Sequence, residues 1–296
     1  MSVLYFDTSA INRLADDPNR SLLLKALRRE VCSISIFTVI ELASTPDNRR
    51  RLHLITTAKQ LVGDSRPLAM PGDILRRVTQ AFSGREQTMD ASMGSEWDGL
   101  WLALSEPTFT DADMVAEAQE WKTSEENWYQ DILEKARPIV QSELQKRPKD
   151  EQDWITKYPS RLLKHFCRNR EFMVDVVNRL SPPAVLITNE LAEGVIENLD
   201  PWRFFLAGLA FGFYRRSLQP SGYGRQLSPG SIDTQQSIYL AGCDRFVTAD
   251  QGGEGGPWGG QLAMMRTIIP YGTSYKRTAW HFNQLRDWCT IVGSNR

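Results

Sequence analysis

The segment Val3-Leu4-Tyr5-Phe6-Asp7 is a run of four apolar residues followed directly by an acid. A short apolar run of this kind predicts a buried strand, and Thr8-Ser9 after the acid predicts a turn or the start of a helix. Near the other end of the chain, Arg245 to Thr248 predicts a second short strand that ends just before Asp250. Two strands are therefore expected to end beside an aspartate.

The residues after the first of these strands extend the pattern. Leu22 to Arg29 suit an amphipathic helix, and Val31 to Ile36 alternate between apolar and serine side chains, which predicts a strand. Thr38-Val39-Ile40-Glu41 then has the form of a capping box, which predicts the start of another helix. Strands that alternate with helices are typical of an α/β domain with a parallel sheet.

Residues 64–183 differ from both flanks in composition. They are rich in charged residues and helix formers and poor in β-branched runs, and Pro182-Pro183 ends the segment. We therefore predict a helical insertion over 64–183 in a three-layer α/β/α domain formed by residues 1–63 and 184–296, with a mainly parallel sheet. The five tryptophans of the predicted insertion are expected to pack between helices: Trp97, Trp101, Trp121, Trp128 and Trp154.

The α/β pattern returns after the insertion. Pro201 to Leu218 predicts a buried helix, in which Gly208 and Gly212 indicate close helix packing. Ile232 to Cys243 predicts a helix and Thr267 to Pro270 a last strand. The glycine-containing stretches Gln219 to Gly230 and Gln251 to Gly260 are typical of loops.

Four acids from distant segments are expected at one edge of this sheet: Asp7, Glu41, Asp233 and Asp250. Sites in open α/β sheets form outside the carboxyl ends of the strands. Converging carboxylates repel one another, and a divalent cation that prefers oxygen ligands, Mg²⁺ or Mn²⁺, offsets that repulsion. Such ions activate water and stabilise charge on phosphoryl oxygens, which is the chemistry of phosphodiester hydrolysis.

These residues resemble the motifs of the PIN-domain family. The matching positions are Asp7-Thr8-Ser9, Glu41-Leu42, Asp233, and Phe246 to Asp250, and Asp233 lies 17 residues before Asp250 (250 − 233). The resemblance covers the first sixty or so residues and the last hundred-odd. It implies a metal-dependent nuclease that prefers single strands, commonly a ribonuclease, and in many relatives a toxin paired with an antitoxin; such relatives often form homodimers. The long insertion and the glycine-rich loop after Asp250 depart from the family pattern.

Each of the acids also has a structural interpretation. Asp7 is a good helix cap, Glu41 closes the capping box, Asp233 suits a helix N-terminus, and Asp250 suits a turn. Thr8, Ser9 and Thr248 either orient the acids or cap the backbone. Asp244 lies before the predicted strand Arg245 to Thr248 and is expected to stabilise the turn there.

Substrate contacts have weaker signals. The net charge is −1, so nucleic acid must be held by local basic patches. Arg49-Arg50-Arg51 is a candidate for binding phosphates and Trp258 for stacking on a base, although a solvated surface is the commoner explanation for the arginines and a loop anchor for the tryptophan.

Other functional classes are disfavoured. The four cysteines are far apart, which argues against a zinc site or a disulfide framework and favours a reducing cytoplasm. The longest apolar run, Phe204 to Tyr214, is too short to cross a bilayer, so no membrane partner is expected. A phosphatase of the haloacid-dehalogenase type needs an acid where Ser9 stands. A catalytically silent PIN-like scaffold that binds a protein or nucleic acid through the insertion remains the alternative to a nuclease.

Overall fold

A four-stranded parallel sheet forms the centre of the computed structural model. The structure describes residues 1–84, 98–104, 112–146, 148–150, 174, 188–218, 230–250, 260–274 and 276–294. The strands are β1 (Val3–Phe6), β2 (Val31–Ser33), β3 (Arg245–Thr248) and β4 (Thr278–His281), in the order β2-β1-β3-β4. All three neighbouring pairs are parallel, and Leu4 lies opposite Cys32 on one side and Arg245 on the other. The expected parallel sheet is confirmed.

Most of the described chain is helical. The first seven helices are α1 (Thr8–Asp16), α2 (Arg20–Leu27), α3 (Ile36–Ala43), α4 (Asn48–Val62), α5 (Pro71–Phe82), α6 (Asp98–Ala103) and α7 (Ala112–Gln145). The later ones are α8 (Asn189–Asn198), α9 (Asp200–Leu218), α10 (Ser231–Gln235), α11 (Gly260–Ile268) and α12 (Phe282–Ser294). Two 3₁₀ helices, Gln236–Gly242 and Ile269–Tyr271, continue α10 and α11.

Helices cover both faces of the sheet. Side chains alternate along a strand, so Leu4 and Phe6 of β1 pack into one apolar cluster while Tyr5 packs into another. Val247 and Phe246 of β3 divide between the same two clusters. The first cluster includes residues of α1 to α4 and α12, and the second includes α5, α8, α9 and α11. A sheet buried on both faces explains why its strands are apolar runs.

The predicted strand over 31–36 and the predicted capping box are both wrong in detail. β2 ends at Ser33, and α3 already begins at Ile36 because the hydroxyl of Ser35 caps it by accepting from the amide of Thr38. Thr38 therefore lies within the first turn of α3 and is not its cap. Glu41 lies in the second turn, which leaves its carboxylate available for contacts with other elements.

The predicted last strand over Thr267 to Pro270 is also wrong. These residues belong to α11 and the short 3₁₀ helix after it, and the last strand is β4, Thr278–His281. Helix formers precede Thr267, and the buried side chains of Met264, Met265 and Ile268 fit a helix that packs on the sheet. Tertiary packing decides between helix and strand for such a short apolar run.

The described part of residues 64–183 is mostly helical, and its longest helix packs against the α/β elements. α7 contacts α3, α9 and α10. The tryptophans there differ: Trp101 is buried and Trp121 packs at the edge of both clusters, whereas Trp128 is 52% exposed, so the expectation of a core position is wrong for Trp128. Trp97 and Trp154 lie outside the described residues.

The remaining expectations about the core have clear outcomes. The predicted helix over Pro201 to Leu218 is confirmed by α9, and a Cβ atom at Gly208 would lie 2.7 Å from the carbonyl oxygen of Thr234, which confirms close packing there. Cys32, Cys243 and Cys289 are buried and unpaired. Among the described helices, none is long and apolar enough to cross a membrane.

Candidate functional site

The candidate site lies where the chain reverses the order of its strands. From β1 the chain moves to β2 on one side, and it returns to place β3 and β4 on the other side. The carboxyl ends of β1 and β3 are therefore adjacent at a topological switch point, the usual location of sites in α/β sheets. Asp7 follows β1 directly and Asp250 follows β3 after a single alanine.

Asp7 is buried, and two hydroxyl groups donate hydrogen bonds to its carboxylate. Its side chain is the cap of α1 and accepts from the amide of Ala10 at 2.7 Å. Thr248 donates to Oδ2 of Asp7 at 2.7 Å, and Ser9 donates to the same carboxylate at 2.9 Å. Ser9 and Thr248 also accept from the amides of Ala249 and Asp250, at 2.8 and 3.0 Å. The two hydroxyls thus join the ends of β1 and β3.

Glu41 reaches the site from α3. Its Oε2 accepts from the hydroxyl of Thr8, the residue after Asp7. Its Oε1 lies 3.1 Å from Nζ of Lys122 on α7. All three hydroxyl residues named from the sequence, Thr8, Ser9 and Thr248, therefore contact an acid of the site.

Asp233 belongs to the first turn of α10. Its Oδ2 accepts from the amide of Gly230, the residue before α10, at 3.0 Å. The next amide, that of Ser231, donates to Glu126 of α7 at 2.9 Å. Two carboxylates, one from each helix, therefore hold consecutive backbone amides.

Asp250 connects the end of β3 to α11. Its Oδ2 accepts from the amide of Gln261 at 3.0 Å, and its carbonyl oxygen accepts from the amide of Leu262 at 3.2 Å. These contacts support the capping interpretation of this aspartate.

The acids influence one another electrostatically. Burial, together with a smaller effect of the charge of Asp233, raises the pKa of Asp7 to about 8, against the lowering effect of its hydrogen bonds. Burial likewise raises the pKa of Asp233 to about 7, and Glu41, Asp250 and Glu126 add to the increase. Asp233 thus interacts electrostatically with each of the other three acids named from the sequence.

The donor chemistry of this cluster fits a hard divalent cation. Asp7 and Asp233 offer carboxylate oxygens whose ionised form lacks a compensating charge, since no ion pair involves either of them among the described residues. In the part of the chain that the structure describes, however, no three Asp, Glu, His or Cys side chains form a ready coordination group. The oxygen donors are suitable, but they are not arranged around a common centre.

Three residues near the cluster escaped the sequence analysis. Lys122 and Glu126 come from α7, and nothing in a helical, charged sequence distinguishes a residue that reaches a site from one that faces solvent. His281 ends β4 opposite Thr248, and burial lowers its pKa. His281 was not placed beside the site because β4 was not predicted, although the alternating Thr278-Ala279-Trp280 is a weak strand signal.

The basic run after α3 is mostly engaged in structure. Arg51 is buried and donates to the carbonyl oxygen of Thr45 and the side chain of Asn48. Arg50 forms an ion pair with Asp16, which leaves Arg49 as the exposed member. Trp258 lies outside the described residues.

Comparison with known proteins does not assign a family to the chain. No protein-family model matches it, no curated protein matches it, and no solved structure matches it. The resemblance to the PIN-domain family therefore stays a prediction from the sequence.

Proposed function

We propose that this protein is a PIN-like, metal-dependent endonuclease that hydrolyses phosphodiester bonds in single-stranded RNA. The observation that carries the proposal is that four acids from four segments lie within electrostatic range of one another near the switch point of a parallel sheet. Two of them, Asp7 and Asp233, have pKa values raised toward neutral by burial and by neighbouring acids. Such clusters are typical of functional sites, because a fold gains no stability from carboxylates that repel one another.

The residues would divide the work as follows. Asp7, Glu41, Asp233 and Asp250 would hold Mg²⁺ or Mn²⁺, directly or through water. When bound, such an ion activates water for attack and offsets negative charge on the phosphoryl oxygens. Ser9 and Thr248 fix the orientation of Asp7 through hydrogen bonds at 2.9 and 2.7 Å. Thr8 holds Glu41 in place in the same way.

The choice of RNA as substrate follows from the family resemblance. The net charge of −1 offers no general attraction for nucleic acid, so the strand must be held locally. Arg49 is exposed after α3, the helix that carries Glu41, and is the member of the basic run with room for a phosphate.

A catalytically silent scaffold is the second candidate, and one observation favours it. Glu41 is already paired with Lys122, and the described acids do not surround a common centre. In that reading α7 and the rest of the insertion would bind a protein or nucleic-acid partner, and the acids would serve as caps.

Cleavage of a labelled single-stranded RNA distinguishes the two candidates. The purified protein would be assayed with Mn²⁺, with Mg²⁺ and with chelator, beside Asp7→Asn and Asp250→Asn. The matched control is Asp47→Asn, because Asp47 caps α4 as Asp7 caps α1 but is exposed, whereas Asp7 is buried. We expect metal-dependent cleavage that is lost in both site variants and kept in the control. Cleavage that persists in both site variants contradicts the nuclease proposal.

A further inference from the structure

We propose that Lys122 is a built-in counter-ion of the acidic site, which a divalent cation must displace from Glu41 before it binds. The inference rests on the proposed function, since it concerns the metal of that site. Nζ of Lys122 lies 3.1 Å from Oε1 of Glu41. The lysine comes from α7, within the segment predicted as an insertion, so an element outside the α/β pattern supplies the cation.

The position of Lys122 is fixed by the residues around it on α7. Gln119 donates to the carbonyl oxygen of Ser44, the residue after α3, at 3.0 Å. Glu126 accepts from the amide of Ser231 at 2.9 Å, at the start of α10. Residues 119, 122 and 126 are spaced by three and four, so they lie on one face of α7. That face spans the two helices that carry Glu41 and Asp233, with Lys122 between the two anchors.

The charges around Lys122 explain why it would compete with a metal. Its ammonium is the cation paired with Glu41, and Glu41 lies within electrostatic range of Asp233. A divalent ion that used an oxygen of Glu41 would stand next to the ammonium and repel it. The ammonium thus lies beside one of the four proposed ligands.

Displacement is feasible because the two partners differ in exposure. The side chain of Lys122 is 46% exposed, whereas that of Glu41 is 17% exposed. Lysine has a long flexible stem and a strongly hydrated head, so it can swing into water while the carboxylate stays in the site. The ion pair between Lys122 and Glu41 therefore breaks when the divalent ion binds.

The test compares Mn²⁺ binding by isothermal titration calorimetry in the wild type, Lys122→Met and Lys122→Arg. We expect Lys122→Met to bind Mn²⁺ about three- to tenfold more tightly, the effect of losing a partly exposed ion pair and a nearby positive charge. Lys122→Arg keeps the charge and should stay close to the wild type. Lys25→Met, on the exposed side of α2, removes the same charge from another helix and should change nothing.

The outcomes separate this inference from the proposed function. Binding to Lys122→Met alone, or tighter binding to it, supports the counter-ion role. Equal or weaker binding to Lys122→Met than to the wild type overturns the role and leaves the nuclease proposal intact. No binding to any of the proteins overturns both.

A second measurement makes the result independent of metal affinity. In chelator, urea unfolding would be followed for Lys122→Met, Glu41→Gln and the double variant. If Lys122 balances the charge of Glu41, its loss destabilises the protein when Glu41 is charged and has a smaller effect when residue 41 is glutamine. Equal losses of stability in both backgrounds would mean that Lys122 contributes only packing.

Discussion

Replacement of Asp7 by asparagine should stabilise the metal-free protein at neutral pH, although Asp7 caps a helix. The carboxyl group is 3% exposed, and burial raises its pKa from 3.8 to about 8. Between these two values the folded protein holds a proton on Asp7 that the unfolded chain releases. Below pH 3.8 Asp7 is protonated in both the folded and the unfolded state, and the free energy of unfolding has its full value. As the pH rises from 3.8 toward 8, the unfolded chain releases this proton and the free energy of unfolding falls.

The magnitude follows from the width of this interval. One pH unit corresponds to about 1.4 kcal/mol, so at pH 7 the buried acid lowers the stability by about 4 kcal/mol relative to an uncharged side chain. Asparagine keeps the cap to Ala10 but presents an amide where Ser9 and Thr248 donate, at a cost of about 1–2 kcal/mol. We therefore expect Asp7→Asn to be more stable by about 2–3 kcal/mol at pH 7, less stable near pH 4, and equal near about pH 5.

Urea unfolding followed by tryptophan fluorescence, in chelator at pH 4, 5, 6, 7 and 8, measures this crossing. Asp47→Asn is the control, because Asp47 makes the same kind of cap hydrogen bond to Arg50 from an exposed position. The control should differ little from the wild type across the series. If the stabilities of the wild type and Asp7→Asn stay parallel from pH 4 to pH 8, Asp7 does not titrate in this interval and the electrostatic account of the site is refuted.

Further predictions concern the frame, the metal and the substrate. Gly208→Ala should destabilise the protein by about 1–3 kcal/mol, because the new Cβ would meet the backbone of α10, whereas Gly72→Ala has open space and should be neutral or slightly stabilising in the same urea assay. Thr248→Val should cost about 1–3 kcal/mol in urea unfolding, since it leaves the carboxylate of Asp7 and the amide of Asp250 without their shared partner; an unchanged midpoint would contradict the importance of this bridge. Mn²⁺ at a hundredfold excess over its Kd should stabilise the wild type by about 2.7 kcal/mol and leave Asp7→Asn unaffected in a thermal scan. Arg49→Met should reduce the slope of log affinity against log salt for single-stranded RNA by about 0.7, and an unchanged slope would exclude a phosphate contact.

The sequence by itself determined the class of the fold and the sheet edge at which Asp7 and Asp250 lie. Strands β1 and β3 are short apolar runs buried on both faces of the sheet, so their pattern is visible without knowledge of their neighbours. Because parallel strands share one direction, acids that follow them must fall at the same edge. Asp7 and Asp250 could be placed there by this reasoning alone.

Local reasoning failed where two interpretations of a short segment compete. Thr38 to Glu41 has the sequence pattern of a capping box. In the structure Ser35, three residues before Thr38, caps α3. Tertiary contacts determine which serine or threonine becomes the cap. Among the described strands β4 pairs with β3 alone, and its four residues carry too little pattern to be distinguished from the end of a helix.

Only the tertiary structure decided which residues complete the site and how its charges behave. Lys122 and Glu126 reach the acids because α7 crosses α3 and α10, a contact between residues about eighty and a hundred apart in sequence that no local pattern encodes. The raised pKa values of Asp7 and Asp233 likewise depend on burial and on neighbouring charges, which are properties of the packed chain rather than of its sequence. The sequence determines which chemical groups the side chains carry, whereas their pKa values and their interactions with one another depend on the burial that folding produces.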